Sequence, residues 1–179
     1  DWNANWKAYF KPFSIARFLI KPTWETMQPK AEQYVIDIDP GLAFGTGRHE
    51  TTKLCLEQLD ANVKAGDRVL DLGCGSGILS IAAYKLGADC IVSTDIDPAA
   101  IEATVENEKL NSMDTKHCSV YLGNVLEEID LQETIGNGYD VVVANILADV
   151  IVPLADMVGK FMKPGALFIS SGILYTKEK

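Results

Sequence analysis

Much of what this sequence could be is excluded by what it lacks. Its four cysteines, Cys55, Cys74, Cys90 and Cys118, form no CxxC pair, which argues against a zinc or dithiol site and for buried free thiols. No run approaches the roughly 20 apolar residues that a membrane helix requires, and no signal-peptide pattern opens the chain. No membrane role is therefore expected, and a reducing cytoplasm is the expected compartment. Internal repeats and low-complexity stretches are absent too. Positive charge is scarce: 16 Lys and Arg stand against 25 Asp and Glu, a net charge of −9 whose field repels nucleic-acid phosphates. Direct nucleic-acid binding is disfavoured. A cationic protein would be attracted by the same field, although solubility alone explains acidity in many enzymes.

What remains is one domain's worth of chain, 179 residues with 47% apolar content, enough for a single layered core. The chain begins at Asp1 without an initiator Met and stops at Lys179 just after an apolar strand-like run, so it is expected to be a piece of something longer. Residues 1–30 carry Trp2, Trp6, Tyr9, Phe10, Phe13, Phe18 and Trp24, a packed approach segment and not a Gly/Ser-rich linker. Tyr34 to Ile38 alternates as a strand, and Asp39-Pro40-Gly41 supplies turn chemistry before a glycine-rich loop reaching Gly47. A helix is predicted from Thr51 to about Ala61. Beyond it strands and helices alternate: strands at Arg68–Leu72, Cys90–Thr94, Ser119–Leu122, Tyr139–Ala144 and Ala166–Ser170, and helices at Ile78–Leu86, Asp97 to about Leu110 and Ala148–Phe161. Asp97 reads as the cap of its helix, with Pro98 in the first turn. The expected fold is α/β: a doubly wound, mainly parallel sheet with helices on both faces.

The strongest chemical signal is Val69-Leu70-Asp71-Leu72-Gly73-Cys74-Gly75-Ser76-Gly77, a buried strand running through a glycine turn into a helix. In a doubly wound sheet, ligands bind at the carboxyl ends of strands, and Gly73, Gly75 and Gly77 would let the backbone approach one closely. A dinucleotide fingerprint wants G-x-G-x-x-G, yet Ile78 stands where its third glycine belongs. Asp71 also suits a ligand with an amino group and a sulfonium better than a pyrophosphate at a helix terminus. S-adenosylmethionine is such a ligand.

Further candidates lie at the ends of later strands. Asp95 is placed to accept ribose hydroxyls, a role that dinucleotide and adenosylmethionine binders share; its alternative is a turn or cap. Asn124 either reads an adenine edge or serves an ordinary turn. Asn145 either accepts a hydrogen bond from an attacking amine or is satisfied by its own backbone.

The run Asp39-Pro40-Gly41-Leu42-Ala43-Phe44-Gly45-Thr46-Gly47, with His49 and Thr51-Thr52, closely resembles the signature of the bacterial methyltransferases that modify ribosomal large-subunit protein L11. So do the Leu-Gly-Cys-Gly-Ser-Gly-Ile-Leu-Ser-Ile-Ala-Ala, Asp-Ile-Asp-Pro and Val-Ala-Asn-Ile-Leu-Ala runs and the Ser171-Gly172-Ile173-Leu174 ending. The resemblance implies a class I, Rossmann-like enzyme that uses S-adenosylmethionine to methylate lysine side chains and an N-terminal amine of that ribosomal protein. It implies cofactor contacts at Thr52, Gly73, Asp95 and Asn145, with the loop from Phe44 through Thr46 to His49 closing over the cofactor. Asp71, Gly75, Gly77, Ile96 and Asn124 complete the expected cofactor set, Asn145 also faces the amine, and no metal is implied. Residues 31–179 would be the catalytic domain, residues 1 to about 15 the end of a linker from an absent recognition domain, and a strand pair after Ile173 would be missing. Arg48 departs from the family's usual Thr and Glu50 from a frequent Pro. His49 reads as a loop-shaping hydrogen-bonder, since nothing pairs it with a second catalytic group.

Two other readings stay open: a methyltransferase of another substrate class, such as a small molecule, and a binding module that has lost transfer. In the enzyme reading no general base is visible. A lysine of ordinary pKa near 10.4 costs about 4 to 5 kcal/mol to neutralise at pH 7, part of which desolvation in the crevice returns.

Overall fold

The computed structural model describes residues 10–39, 41 and 50–171. Strands β1 (Phe13–Ile15) and β2 (Phe18–Pro22) form an antiparallel hairpin, and β3 (Tyr34–Ile38) adds to β2 in parallel. Phe18, Ile20, Ile36 and Ile38 are fully buried, which gives this small sheet its apolar inner face. The hairpin is not foreseen by the sequence reading. Its turn, Ala16-Arg17, lacks the Asn-Gly or Asp-Gly chemistry that announces a tight hairpin, although Ala16 takes a positive φ of 48°.

The main body follows as α1 (Glu50–Asn62), β4 (Arg68–Leu72), α2 (Ile78–Lys85), β5 (Cys90–Asp95), α3 (Pro98–Leu110), β6 (Cys118–Leu122), α4 (Ile129–Ile135), β7 (Tyr139–Asn145), α5 (Ala148–Met157) and β8 (Met162–Ser171). Its five strands lie in the order β6-β5-β4-β7-β8, and each neighbouring pair is parallel. The chain leaves β4 to build β5 and β6 on one side, then crosses to build β7 and β8 on the other. The switch point therefore falls between β4 and β7, where the carboxyl ends of the strands open a crevice.

A period of two explains how both faces are covered. Val69, Ile91, Val141, Val143 and Ile169 pack with α1, α2 and the small sheet, whereas Leu70, Leu72, Val92, Val142 and Ala144 pack with α4 and α5. Each fully buried Leu, Ile or Val contributes roughly 1.5–3 kcal/mol, so a one-residue slip of any central strand would be prohibitive. The cap expected at Asp97 is present: its carboxylate accepts from the Ala99 amide at 2.9 Å, with Pro98 in the first turn.

Most element ends lie within a residue of the sequence reading, and three larger differences stand out. Helix α4 was not expected, because seven residues with Leu131 and Ile135 as the buried pair are too few to establish a helical period. Helix α5 ends at Met157 instead of Phe161, passing through a 3-10 turn at Val158–Lys160. Strand β8 starts at Met162, four residues before the expected Ala166, and runs through Pro164-Gly165 with a register irregularity opposite Tyr139 and Val141. Proline and glycine argue against a strand in sequence, but β8 is an edge strand among the described residues, where they are tolerated.

Candidate functional site

The turn Gly73–Gly77 leaves β4 at the switch point and is stitched to β5: the Gly73 and Cys74 amides both donate to the Thr94 carbonyl, at 2.8 and 3.0 Å. Gly73 and Gly77 have φ of 76° and 81°, where a side chain is strained. A Cβ on Gly73 would also lie 2.2 Å from Cγ2 of Ile146, and one on Gly77 would lie 3.0 to 3.2 Å from three atoms of Thr104. The sequence reading has these glycines making room for a ligand; at Gly73 and Gly77 the room is taken by the protein's own side chains. Close packing, together with φ, demands glycine there.

Asp95 ends β5 beside that turn and is half-buried. Its Oδ2 accepts from the Gly75 amide at 3.0 Å and its Oδ1 from the Asp97 amide at 3.0 Å. Each oxygen keeps a lone pair, so the carboxylate is oriented yet can still accept from a pair of hydroxyls. Ile96 follows with its side chain 72% exposed, an apolar surface next to the carboxylate. Asn124, after β6, uses its Oδ1 to accept from the Leu126 amide at 3.0 Å, while its backbone N–H donates to Glu128 Oε1 at 2.7 Å. Of the two uses weighed for Asn124, its oxygen is engaged in the turn.

Asp71 sits beneath the turn and does not reach the crevice wall. It is fully buried, accepting from Ser80 Oγ at 2.7 Å, and Ser80 Oγ lies 2.6 Å from Ser93 Oγ. Its Oδ1 has no hydrogen-bond partner among the described residues. Burial, and then the nearby Asp95 charge, push its carboxyl up to about 7 against the pull of the Ser80 hydroxyl. Glu108 on α3 is pushed up to about 7 as well, first by burial and then by Asp71.

An acid whose folded value lies above its unfolded value binds its proton more tightly in the fold. Its contribution is therefore complete below the unfolded value near 4.5 and is lost as pH rises to about 7. Glu108→Gln is accordingly expected to flatten the decline in stability between those values and to raise stability at pH 8 by on the order of 2 kcal/mol. Thermal unfolding of both proteins across that range checks it; parallel curves would show that Glu108 pays no burial penalty.

A second cluster forms at the end of β7. Asn145 Nδ2 donates to Thr52 Oγ1 at 2.9 Å, and Ser171 Oγ donates to Asn145 Oδ1 at 2.5 Å. Thr52 is 1% exposed on α1, so this amide bridges α1, β7 and β8 at the carboxyl edge of the sheet. The structure thus joins Thr52 to Asn145 and Gly75 to Asp95. Ser171, Thr104 and Asn107 were given no role in the sequence reading; Ser171 stood inside a quoted motif, and the other two lie on a helix read only for its boundaries. Beside Ser171, a groove of about 260 Å³ between α1 and β8 is lined by Leu54, Cys55, Gln58 and Ile169, away from the glycine turn. Phe44, Thr46, Arg48 and His49 lie outside the described residues. Among the described residues, no group of three or more His, Cys, Asp or Glu side chains is arranged to hold a metal ion, and no helix is long and apolar enough to cross a membrane.

Comparison with known proteins identifies the family and the fold. The family described as ribosomal protein L11 methyltransferase (PrmA) matches residues 1–179. A ribosomal protein L11 methyltransferase of Agathobacter rectalis is 50% identical over 183 residues, covering 99% of this chain and 57% of that protein. One from Lachnoclostridium phytofermentans is 50% identical over 195 residues, covering 100% of this chain and 59% of its own length. The chain thus spans less than two thirds of these curated relatives. The crystal structure of a ribosomal protein L11 methylase from Lactobacillus delbrueckii subsp. bulgaricus superimposes with a TM-score of 0.83 at 34% identity, over 94% of this chain and 83% of that one.

Proposed function

Since this chain belongs to the ribosomal protein L11 methyltransferase family, we propose that its domain binds S-adenosylmethionine at the glycine turn and transfers methyl groups to lysine or N-terminal amines of ribosomal protein L11. The observation that carries the reading is the carboxylate of Asp95, oriented by the Gly75 and Asp97 amides at the carboxyl end of β5. The residues fit this cofactor. Asp95 has lone pairs for the two ribose hydroxyls, Ile96 offers an exposed apolar surface beside them, and Thr52 with Asn145 forms a polar cluster at the far side of the crevice. Bound S-adenosylmethionine supplies an electrophilic sulfonium methyl.

The chain's own contribution is placement. Asn145, tied to Thr52 and Ser171, orients the lone pair of the acceptor amine. Desolvation of the amine on entering the crevice favours its neutral form, and rate comes chiefly from near-attack geometry, with no covalent enzyme intermediate. The supporting cofactor set comprises Phe44, Thr46, Thr52, Gly73, Gly75, Gly77, Asp95, Ile96, Asn124 and Asn145, with Asp71 acting from beneath the turn. Residues 31–179 form the proposed catalytic domain, with residues 1–30 as its approach. The charge of −9 weighs against direct nucleic-acid contact, and the cytoplasm is the location proposed.

The test has two arms. In calorimetry the chain is expected to bind S-adenosylmethionine and to ignore nicotinamide dinucleotide. With labelled cofactor it is expected to mark L11 in a ribosomal-protein mixture. Labelling confined to small metabolites would move the protein to another substrate class, and binding without transfer to any full-length protein would make it a binding module.

A further inference from the structure

We propose that Asn107 is a positioning residue that locks the glycine turn against the end of β3, and that this lock sets the affinity of the turn for the sulfonium nucleoside. The inference rests on the functional reading above. Asn107 is fully buried in the last turn of α3. Its Nδ2 donates to the Ser76 carbonyl at 2.8 Å and its Oδ1 accepts from the Asp39 amide at 2.9 Å. A backbone carbonyl can only accept and a backbone N–H can only donate, so the orientation of the side-chain amide is dictated by its two partners.

Asn107 belongs to a row on one face of α3. Thr104, three residues earlier, donates from Oγ1 to the Gly75 carbonyl at 3.0 Å. Asn111, four residues later, accepts from the Asp37 amide at 2.9 Å and donates to the Asp37 carbonyl at 2.7 Å. Thr104 serves the turn, Asn111 serves β3, and Asn107 alone in this row joins the two. Asn111 caps the helix, where Asn is tolerated, but Thr104 and Asn107 stand inside it on a buried face, for which both are poor residues. Such a violation of local preference persists where tertiary partners demand it. The onward path is short: Ser76 is next to Gly75, whose amide holds Asp95. A turn released at Ser76 would let the carboxylate that meets the nucleoside shift with it.

Asn107→Asp separates positioning from simple loss of structure, because a protonated carboxyl is close to isosteric with the amide. Ionised, the introduced group cannot donate to Ser76. Protonated, its hydroxyl donates there while its carbonyl oxygen still accepts from Asp39. The ionisable groups around this junction are Asp37 and Asp39 at β3, Asp71 and Asp95 at the sheet, Cys74 in the turn, Glu108 on the same helix, Lys21 of β2, which is ion-paired with Asp37, and Lys85 of α2, which faces it. Most are acids, and together with burial they favour protonation of the new carboxyl in mildly acidic solution.

Calorimetry with S-adenosylmethionine at about pH 8 and about pH 5.5, each referred to the unsubstituted chain at the same pH, reads the effect. Asn107→Asp is expected to bind roughly 30-fold more weakly at the higher pH and to recover to within about threefold at the lower. Asn111→Asp, which loosens β3 and drops a bond to the Asn107 backbone carbonyl while leaving the Asn107 side chain on the turn, is expected to lose similar thermal stability yet stay within about threefold at both. Uncharged Asn107→Ser, too short to span both partners, guards against a variant that fails to fold at high pH; its expected loss is about tenfold at both values.

Undiminished binding by Asn107→Asp or Asn107→Ser, a loss that acid does not reverse, or an equal loss in Asn111→Asp would each overturn the inference while leaving the functional reading intact. Failure of the unsubstituted chain to bind S-adenosylmethionine would overturn both.

Discussion

Gly73→Ala is expected to weaken binding of S-adenosylmethionine by at least about 100-fold, the larger part of it by collision and the smaller by backbone strain. At φ of 76° an alanine is disfavoured by roughly 1 to 2 kcal/mol. Its Cβ would stand 2.2 Å from Cγ2 of Ile146, far inside van der Waals contact, so either Ile146 or the turn must move. Both are tied to the site. Moving the turn breaks the Gly73 and Cys74 hydrogen bonds to Thr94, and moving Ile146 displaces its neighbour Asn145. Calorimetry on the variant, with circular dichroism to confirm folding, provides the measurement. The double variant Gly73→Ala with Ile146→Ala should regain part of the affinity by removing the collision but not the strain. If the second substitution restores nothing, the steric account is wrong.

Asn145→Ala should separate chemistry from binding. The amide bridges Thr52 and Ser171, and its loss leaves buried Thr52 without that bond and the acceptor amine without its orienting group. Turnover is expected to fall about 100-fold, in line with what misplacement of a reacting group costs, while cofactor affinity weakens less than about tenfold. Ser171→Ala, which frees the amide on one side only, should give a smaller loss of turnover in the same direction. Single-turnover methyl transfer to L11, set beside the cofactor dissociation constant, reads both quantities. Proportional losses in the two would assign Asn145 to cofactor binding alone.

Much of the architecture was open to a reader of the chain because each central strand announces itself. Val141 to Ala144 is a continuous apolar run and Val69 to Leu72 is one but for Asp71, the mark of strands buried on both faces, and the cap at Asp97 marks where β5 gives way to α3. What escaped notice was weakly marked. The β1–β2 hairpin turns without hairpin residues, α4 is too short to show a period, and β8 includes a proline and a glycine that read as a break.

For the site the division is different. The order of the residues along the chain was sufficient to mark Gly73, Asp95 and Asn145 as strand-end groups and to prefer a sulfonium nucleoside to a dinucleotide, because glycine spacing and strand ends are local properties. Partnership is not local. That Asp71 is sunk against Ser80, that Ile146 occupies the space over Gly73, and that Asn107 spans from Ser76 to Asp39 all depend on segments 9 to 73 residues apart being brought into contact. Side-chain chemistry is written one position at a time, whereas burial, steric exclusion and the pairing of donors with acceptors exist only after the layers have packed.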